Sequence, residues 1–123
     1  MGLTREDIIA KWDGLTPRER DAWVAEVAFG WKPLGDGRVR SSDGFMIRAI
    51  PEYTTEIFEA WTVLERFPYV EVARIPGESV TYGVRVNDPD DGSVRAMTQA
   101  DVAQEAICLA AIIAELTEEG EGN

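Results

Sequence analysis

The chain has 123 residues and a formal net charge of −11, with no histidine and one cysteine. Such a length fits a single domain that buries a core without disulfides or a structural metal. The acidic charge argues against binding to DNA, RNA or anionic membranes, and the missing histidine removes the commonest catalytic base and most zinc sites. We therefore expect one domain over residues 1–123 with a polar tail over 117–123, no metal, no cofactor and a reduced, cytoplasmic setting.

The first thirty residues predict two helices. Thr4 is the expected N-cap of a short helix that stops at Gly14. Thr16 and Glu19 then form a capping-box pattern, and the helix that follows is expected to end at Gly30. Both helices begin with a residue whose side chain can accept a hydrogen bond from the first-turn backbone.

The middle of the chain predicts strands on both sides of one helix. Thr54 or Thr55 is expected to cap that helix, and Pro68 closes it. Turn residues rich in glycine, aspartate and proline separate the strand patterns. The predicted strands run over residues 31–34, 38–41, 45–50, 69–75, 79–86 and 94–97.

The last helix is predicted to begin at Thr98, with Asp101 as its capping partner, and to reach about Leu116. Its residues 106–114 carry no charge and are apolar nearly all round, so they require cover on several sides, from the chain's own elements or from another subunit. The run is too short to span a bilayer. Cys108 lies within it and is interpreted as a buried core residue.

The predicted order of elements is α-α-β-β-β-α-β-β-β-α. This order indicates an α+β fold in which an antiparallel sheet of five to six strands packs against the helices.

The arginines concentrate in the predicted strands, whereas the helices and the tail are acidic. If neighbouring strands bring Arg48, Arg85 and Arg95 to one side of the sheet, they could hold phosphate, because a guanidinium donates two hydrogen bonds to it. The alternative is a solvated face on which arginines pair with acids. Pairing with glutamates such as Glu71 would favour that alternative.

Aromatic and polar residues complete the candidate ligand site. Trp31 or Tyr82 could stack on a purine base, although core packing is the alternative for both rings. Asn87 or Thr98 could hydrogen-bond a ribose or a base edge. No spacing of acids, serines or glycines matches a catalytic or phosphate-loop motif, so we expect binding without catalysis.

Three stretches of the chain together resemble one phage family. They are Arg18–Trp31, Pro51–Trp61 and Ala106–Ala111, and they resemble, in order and spacing, the marks of the phage ABA (alpha-beta-alpha) sandwich proteins. The chain departs from the family pattern at Pro17, where the family has glycine, and at Arg20, where it has leucine. Both departures concern the start of one helix. The resemblance implies a fold and a phage origin, but a fold alone does not define an activity.

The size, architecture and phage origin are also similar to the Thoeris anti-defence proteins. Those bind cyclic ADP-ribose isomers made by host TIR enzymes, and some bind cyclic oligonucleotides from the CBASS system. The resemblance implies a non-catalytic protein that sequesters a cyclic nucleotide immune signal. We also expect a homo-oligomer, because of the apolar final helix and open sheet edges.

Two other functions are also compatible with the sequence. One is an acidic protein-binding module that inhibits or regulates a host or phage protein. The other is an enzyme that degrades the signal, which the missing histidine and the lack of a metal-ligand cluster disfavour.

Overall fold

The computed structural model describes residues 3–117, and its elements follow the predicted α+β order. They are α1 (Arg5–Asp13), α2 (Pro17–Phe29), β1 (Lys32–Pro33), β2 (Arg38–Arg40), β3 (Ile47–Ala49), α3 (Ile57–Leu64), β4 (Val70–Ile75), β5 (Thr81–Asn87), β6 (Val94–Ala100) and α4 (Ala103–Leu116). The predicted polar tail lies outside the described residues beyond Thr117.

The six strands form two three-stranded antiparallel sheets, β1-β2-β3 and β4-β5-β6. The sequence pattern suggested one meandering sheet. The chain instead leaves the first sheet at the end of β3, passes Pro51 and traverses α3 before it enters β4. We call the two units the first sheet and the second sheet.

The first two helices begin with the predicted capping boxes. The Thr4 hydroxyl accepts a hydrogen bond from the Asp7 amide at 3.1 Å, and the Thr16 hydroxyl accepts one from the Glu19 amide at 3.2 Å. Gly30 ends α2 with a φ of 73°, a left-handed conformation that glycine adopts without strain. These predictions are confirmed because each depends on residues within one turn of the helix end.

The predicted caps of the later helices are wrong. Helix α3 has Glu56 as its N-cap, with no side-chain hydrogen bond, because the Thr54 hydroxyl is bonded to Asp21 instead. Helix α4 has Val102 as its N-cap. Thr98 is a strand residue, because β6 continues to Ala100 in pairing with β5.

Helix α4 forms the centre of the core. It packs on β5 and β6 on one side, and on α1, α2 and α3 on the other. Every residue from 106 to 114 is buried except Leu109, which is partly buried. The apolar run is therefore covered by the chain's own sheet and helices, so it no longer provides a reason for self-association.

A buried carboxylate joins α2 to the segment that precedes α3. Asp21 is fully buried, and its Oδ1 accepts hydrogen bonds from the Thr54 amide at 2.9 Å and the Thr54 hydroxyl at 2.8 Å. Its Oδ2 accepts one from Arg18 at 2.8 Å, and Arg18 also donates to the Ile50 carbonyl at 2.9 Å. These bonds fix the position of residues 50–54 against α2.

Within residues 3–117, no helix combines the length and the apolar character needed to cross a bilayer.

Candidate functional site

The seven residues predicted to bind a ligand are divided between the two sheets. Trp31 and Arg48 lie at the first sheet, and the structure brings them into contact. The other five belong to the second sheet and occupy both of its faces. They are Tyr82, Arg85 and Asn87 on β5, and Arg95 and Thr98 on β6. Tyr82 is partly buried and lies on the same face as the core residue Val84.

Arg85 and Asn87 lie on the opposite face of β5. The Nη2 atom of Arg85 donates to both carboxylate oxygens of Glu71, at 2.7 and 2.6 Å. Glu71 on β4 and Arg85 on β5 are direct partners in the strand pairing. This is the ion pairing that the solvated-face interpretation expects. The Arg85 Nε and the Asn87 Oδ1 are buried without a hydrogen-bond partner among residues 3–117.

Arg95 and Thr98 connect β6 to α4. Arg95 is the extra residue of a β-bulge opposite Val86 and Asn87, and its guanidinium donates to the Ala114 carbonyl near the end of α4. A cation is favoured there by the helix dipole. The Thr98 side chain is buried and donates to the Ala106 carbonyl at 2.7 Å. These structural contacts occupy groups that the sequence suggested for phosphate and ribose.

A second set of ring contacts lies beside the pair of Arg48 and Trp31, because Phe29 is two residues from Trp31 and the charge of Arg48 acts on Tyr53. The Arg48 guanidinium carbon lies 5.9 Å from the centroid of the Trp31 ring. The Phe29 and Tyr53 rings stack with centroids 5.4 Å apart, and Arg66 lies 5.6 Å from the Phe29 ring centroid. We call Phe29, Trp31, Arg48, Tyr53 and Arg66 the aromatic–arginine cluster.

Local structure explains how the cluster assembles. Phe29 and Trp31 flank Gly30, whose left-handed conformation turns the chain from α2 into the first sheet. Arg48 lies on β3, on the same face as its buried partner Val39. The remaining residues, Tyr53 and Arg66, precede and follow α3.

Sequence reasoning selected Trp31 and Arg48 and missed Phe29, Tyr53 and Arg66. The available signal was an aromatic residue on each side of a helix-ending glycine. Nothing in the sequence showed that two further residues, distant along the chain, reach the same place.

The arginines of the cluster are exposed. Neither Arg48 nor Arg66 forms an ion pair with any residue between 3 and 117. Their contacts in the structure are with aromatic rings, which leaves the hydrogen-bond donors of both guanidinium groups available for an anion. This differs from Arg85, whose carboxylate partner is already in place.

The pKa of the Tyr53 hydroxyl depends on burial and on the charges near the cluster. Burial raises the pKa of its hydroxyl to about 12, the charge of Arg48 lowers that pKa in part, and Glu59 raises it. The hydroxyl is therefore protonated at neutral pH.

Replacing Tyr53 with phenylalanine is expected to change how stability depends on pH. An unfolded tyrosine ionises near pH 10, whereas the folded chain keeps this proton until about pH 12. The free energy of unfolding of the wild-type protein therefore falls as the pH rises from 10 to 12, by about 2–3 kcal/mol for this group alone. Tyr53→Phe lacks this hydroxyl, so its free energy of unfolding should not show this fall between pH 10 and pH 12.

Urea denaturation of both proteins at pH 9 and pH 11.5 measures the difference. Burial also raises the pKa of the Cys108 thiol, but this group is present in both proteins and cancels in the comparison. Equal pH dependence in the two proteins would contradict the burial of Tyr53.

Apart from the cluster, a concave surface lies between α1, α2, the end of β6 and the start of α4, with a volume of about 290 Å³. Arg20 is its most enclosed cation. It donates to the Trp12 carbonyl at 2.9 Å, stacks 4.6 Å from the centre of the Trp12 ring and lies 4.0 Å from Glu105. Asp13 adds another acid to the lining. Because acids offset its arginines, this cleft is less suited to an anion than the aromatic–arginine cluster.

No group of three or more acidic or cysteine side chains within residues 3–117 is arranged to hold a metal ion.

The fold defines the class of this protein as an α+β sandwich in which helices and antiparallel sheets enclose a central apolar helix. The family model of the Phage ABA sandwich domain matches residues 22–112, a range that includes the whole aromatic–arginine cluster. The chain belongs to this family.

A crystal structure of a phage protein from Bacillus cereus ATCC 14579 is similar, with a TM-score of 0.68 and 31% sequence identity. The similarity covers 83% of this chain and 94% of that one. None of the curated proteins matches the chain significantly.

Proposed function

We propose that this phage protein binds a cyclic nucleotide immune signal at the aromatic–arginine cluster and sequesters it without chemical conversion. The ligand class is that of cyclic ADP-ribose isomers, with cyclic oligonucleotides as a related class. The observation that supports this proposal is the contact of Arg48 with Trp31, which brings together a guanidinium suited to phosphate and a ring suited to stacking on a base. Arg66, which lies over the Phe29 ring, adds a second guanidinium.

The chemistry of the cluster matches such a ligand. A purine presents a flat face that an aromatic ring can cover, and a pyrophosphate accepts paired hydrogen bonds from a guanidinium. An exposed cation–π contact contributes about 0.5–1 kcal/mol. A hydrogen bond between charged groups contributes about 1.5–3 kcal/mol. Arg48 is therefore expected to exchange its contact with Trp31 for the phosphate when the ligand binds, which leaves the ring free for the base.

The titratable groups of the cluster support binding rather than catalysis. Tyr53 keeps its proton at neutral pH because burial raises its pKa to about 12. Proton transfer would need a group that titrates near neutral pH.

Removing the cluster arginines is expected to weaken binding of cyclic ADP-ribose. Arg48→Gln and Arg66→Gln each remove a charged donor, so each should raise the dissociation constant about 10- to 100-fold. Arg74→Gln is the matched control, because Arg74 is an exposed arginine on β4 and outside the cluster. Isothermal titration calorimetry of the four proteins measures the effect. An equal loss in the Arg74 variant would contradict a site at the cluster.

A second candidate function is an acidic protein-binding module that regulates a host or phage protein. It is favoured by α3, where Phe58 is 82% exposed and Trp61 is 52% exposed beside glutamates. Binding of this kind would depend strongly on salt concentration and would not change in Arg48→Gln. Nucleotide binding that responds to Arg48→Gln would favour the first candidate.

A further inference from the structure

The hairpin formed by β2 and β3 presents apolar and basic residues to solvent. Phe45 is 88% exposed, Met46 59% and Ile47 47%. Lys32, Arg40 and Ile47 are successive partners across the three strands of the first sheet, so they form one row on the same face. We call the row and the two tip residues the hairpin surface.

The tip of this hairpin is held in a defined conformation. The Ser41 amide donates to the Met46 carbonyl at 2.8 Å, and the Met46 amide donates to the Ser41 hydroxyl at 3.0 Å. Asp43 accepts from the Phe45 amide at 3.0 Å and from the Ser41 hydroxyl. Gly44 has a φ of 81°, which the turn requires. Phe45 is therefore presented on a structured turn.

Helix α3 exposes a second apolar surface, which has acidic neighbours. Ile57, Phe58 and Trp61 are 42%, 82% and 52% exposed. Glu65 follows Trp61 by one helical turn on the same side, and Glu56 precedes the helix. We call these five residues the α3 surface. The opposite side of the helix enters the core through Ala60, Val63 and Leu64.

We propose that the hairpin surface of one copy docks on the α3 surface of a second copy of this chain. The two surfaces are complementary. Both carry large apolar side chains, and the charges of the hairpin surface are positive whereas those of the α3 surface are negative. Lys32 and Arg40 form no ion pair within residues 3–117, and neither do Glu56 and Glu65. A second copy supplies the missing partners on both sides. This inference goes beyond the proposed function, because no residue of the aromatic–arginine cluster takes part.

The size of the two surfaces fits an interface between copies. An aromatic side chain can bury about 150–250 Å². Three partly exposed apolar residues on one surface supply only part of the roughly 800 Å² per partner of a standard interface, and a reciprocal pair, in which each copy contributes both surfaces, comes closer to it. Because the surfaces differ, copies join either in a reciprocal pair or in a ring.

Charge reversal tests this pairing directly. Arg40→Glu places an acid opposite the acidic α3 surface, and Glu65→Arg places a base opposite the basic hairpin. Each variant alone should associate about tenfold more weakly, or not at all, because like charges meet. An equal mixture of the two should recover the wild-type mass, since Glu at position 40 then meets Arg at position 65. Size-exclusion chromatography with light scattering measures the mass of each sample.

Met97→Glu is the control, because Met97 is 47% exposed on the second sheet and lies outside both surfaces. It should keep the wild-type mass. Circular dichroism of each variant verifies that the substituted positions, all exposed, leave the fold intact. A wild-type mass equal to one chain, unchanged masses in both reversal variants, or a mixture that stays dissociated would each overturn the proposal. Ligand binding, measured separately, tests the proposed function without reference to this result.

Discussion

Replacing Ile112 with alanine is expected to lower the free energy of unfolding by about 3–4 kcal/mol. Ile112 is fully buried in α4, which is enclosed by strands on one side and by three helices on the other. The removed methyl groups lose their burial, and the surrounding elements cannot all move inward to fill the cavity. Urea denaturation followed by circular dichroism measures the change.

Val94→Ala provides the control for this truncation. Val94 is 51% exposed on β6, so its loss should change the stability by less than about 1 kcal/mol. A similarly small effect for Ile112→Ala would mean that α4 is not enclosed as described.

Replacing Asp21 with alanine is expected to cost about 2–4 kcal/mol, the second large effect. The substitution leaves the Thr54 amide and hydroxyl without their acceptor in a buried place. It also releases Arg18, but the Arg18 side chain is 51% exposed, so water screens that ion pair. Chemical denaturation of Asp21→Ala and Arg18→Ala separates the two contributions.

The order of the two effects is the critical result. Arg18→Ala should cost less than Asp21→Ala, because the Arg18 side chain is 51% exposed and water can replace part of what it donates to Asp21 and to the Ile50 carbonyl. If Arg18→Ala proved as costly as Asp21→Ala, the ion pair and not the bonds to Thr54 would dominate the network.

Local signals in the sequence predicted the parts of the fold that depend on near neighbours. The capping boxes at Thr4 and Thr16 and the end of α2 at Gly30 each involve residues a few positions apart. The same reasoning proposed Thr54 and Thr98 as caps, because both are threonines near a helix start. Both hydroxyls form tertiary contacts that a local pattern does not show.

The division into two sheets also depends on contacts between residues that are far apart in the chain. Strand patterns predict that strands exist, but the pairing of β4 with β5 and of β2 with β3 is decided by contacts across the fold. The length of α3 and the break at Pro51 were visible in the sequence, yet they did not show that the two halves form separate sheets.

The candidate site was predictable in residue type but not in arrangement. Trp31 and Arg48 were chosen for chemistry, and the structure places them together. Arg85 and Arg95 were chosen by the same reasoning, but Arg85 is already paired with Glu71 and Arg95 donates to the Ala114 carbonyl. Composition cannot distinguish an available arginine from one with a partner, because that partner lies on another element.

Recovery of bound ligand tests the central claim most directly. The purified protein is incubated with cyclic ADP-ribose isomers and with cyclic di- and trinucleotides, and free ligand is removed by desalting. Heat then releases what remained bound, and chromatography identifies it. We predict that a cyclic ADP-ribose isomer is recovered intact from the wild-type protein, and that less of it is recovered from Arg48→Gln. A converted product would show an enzyme, and the absence of any retained nucleotide would contradict sequestration.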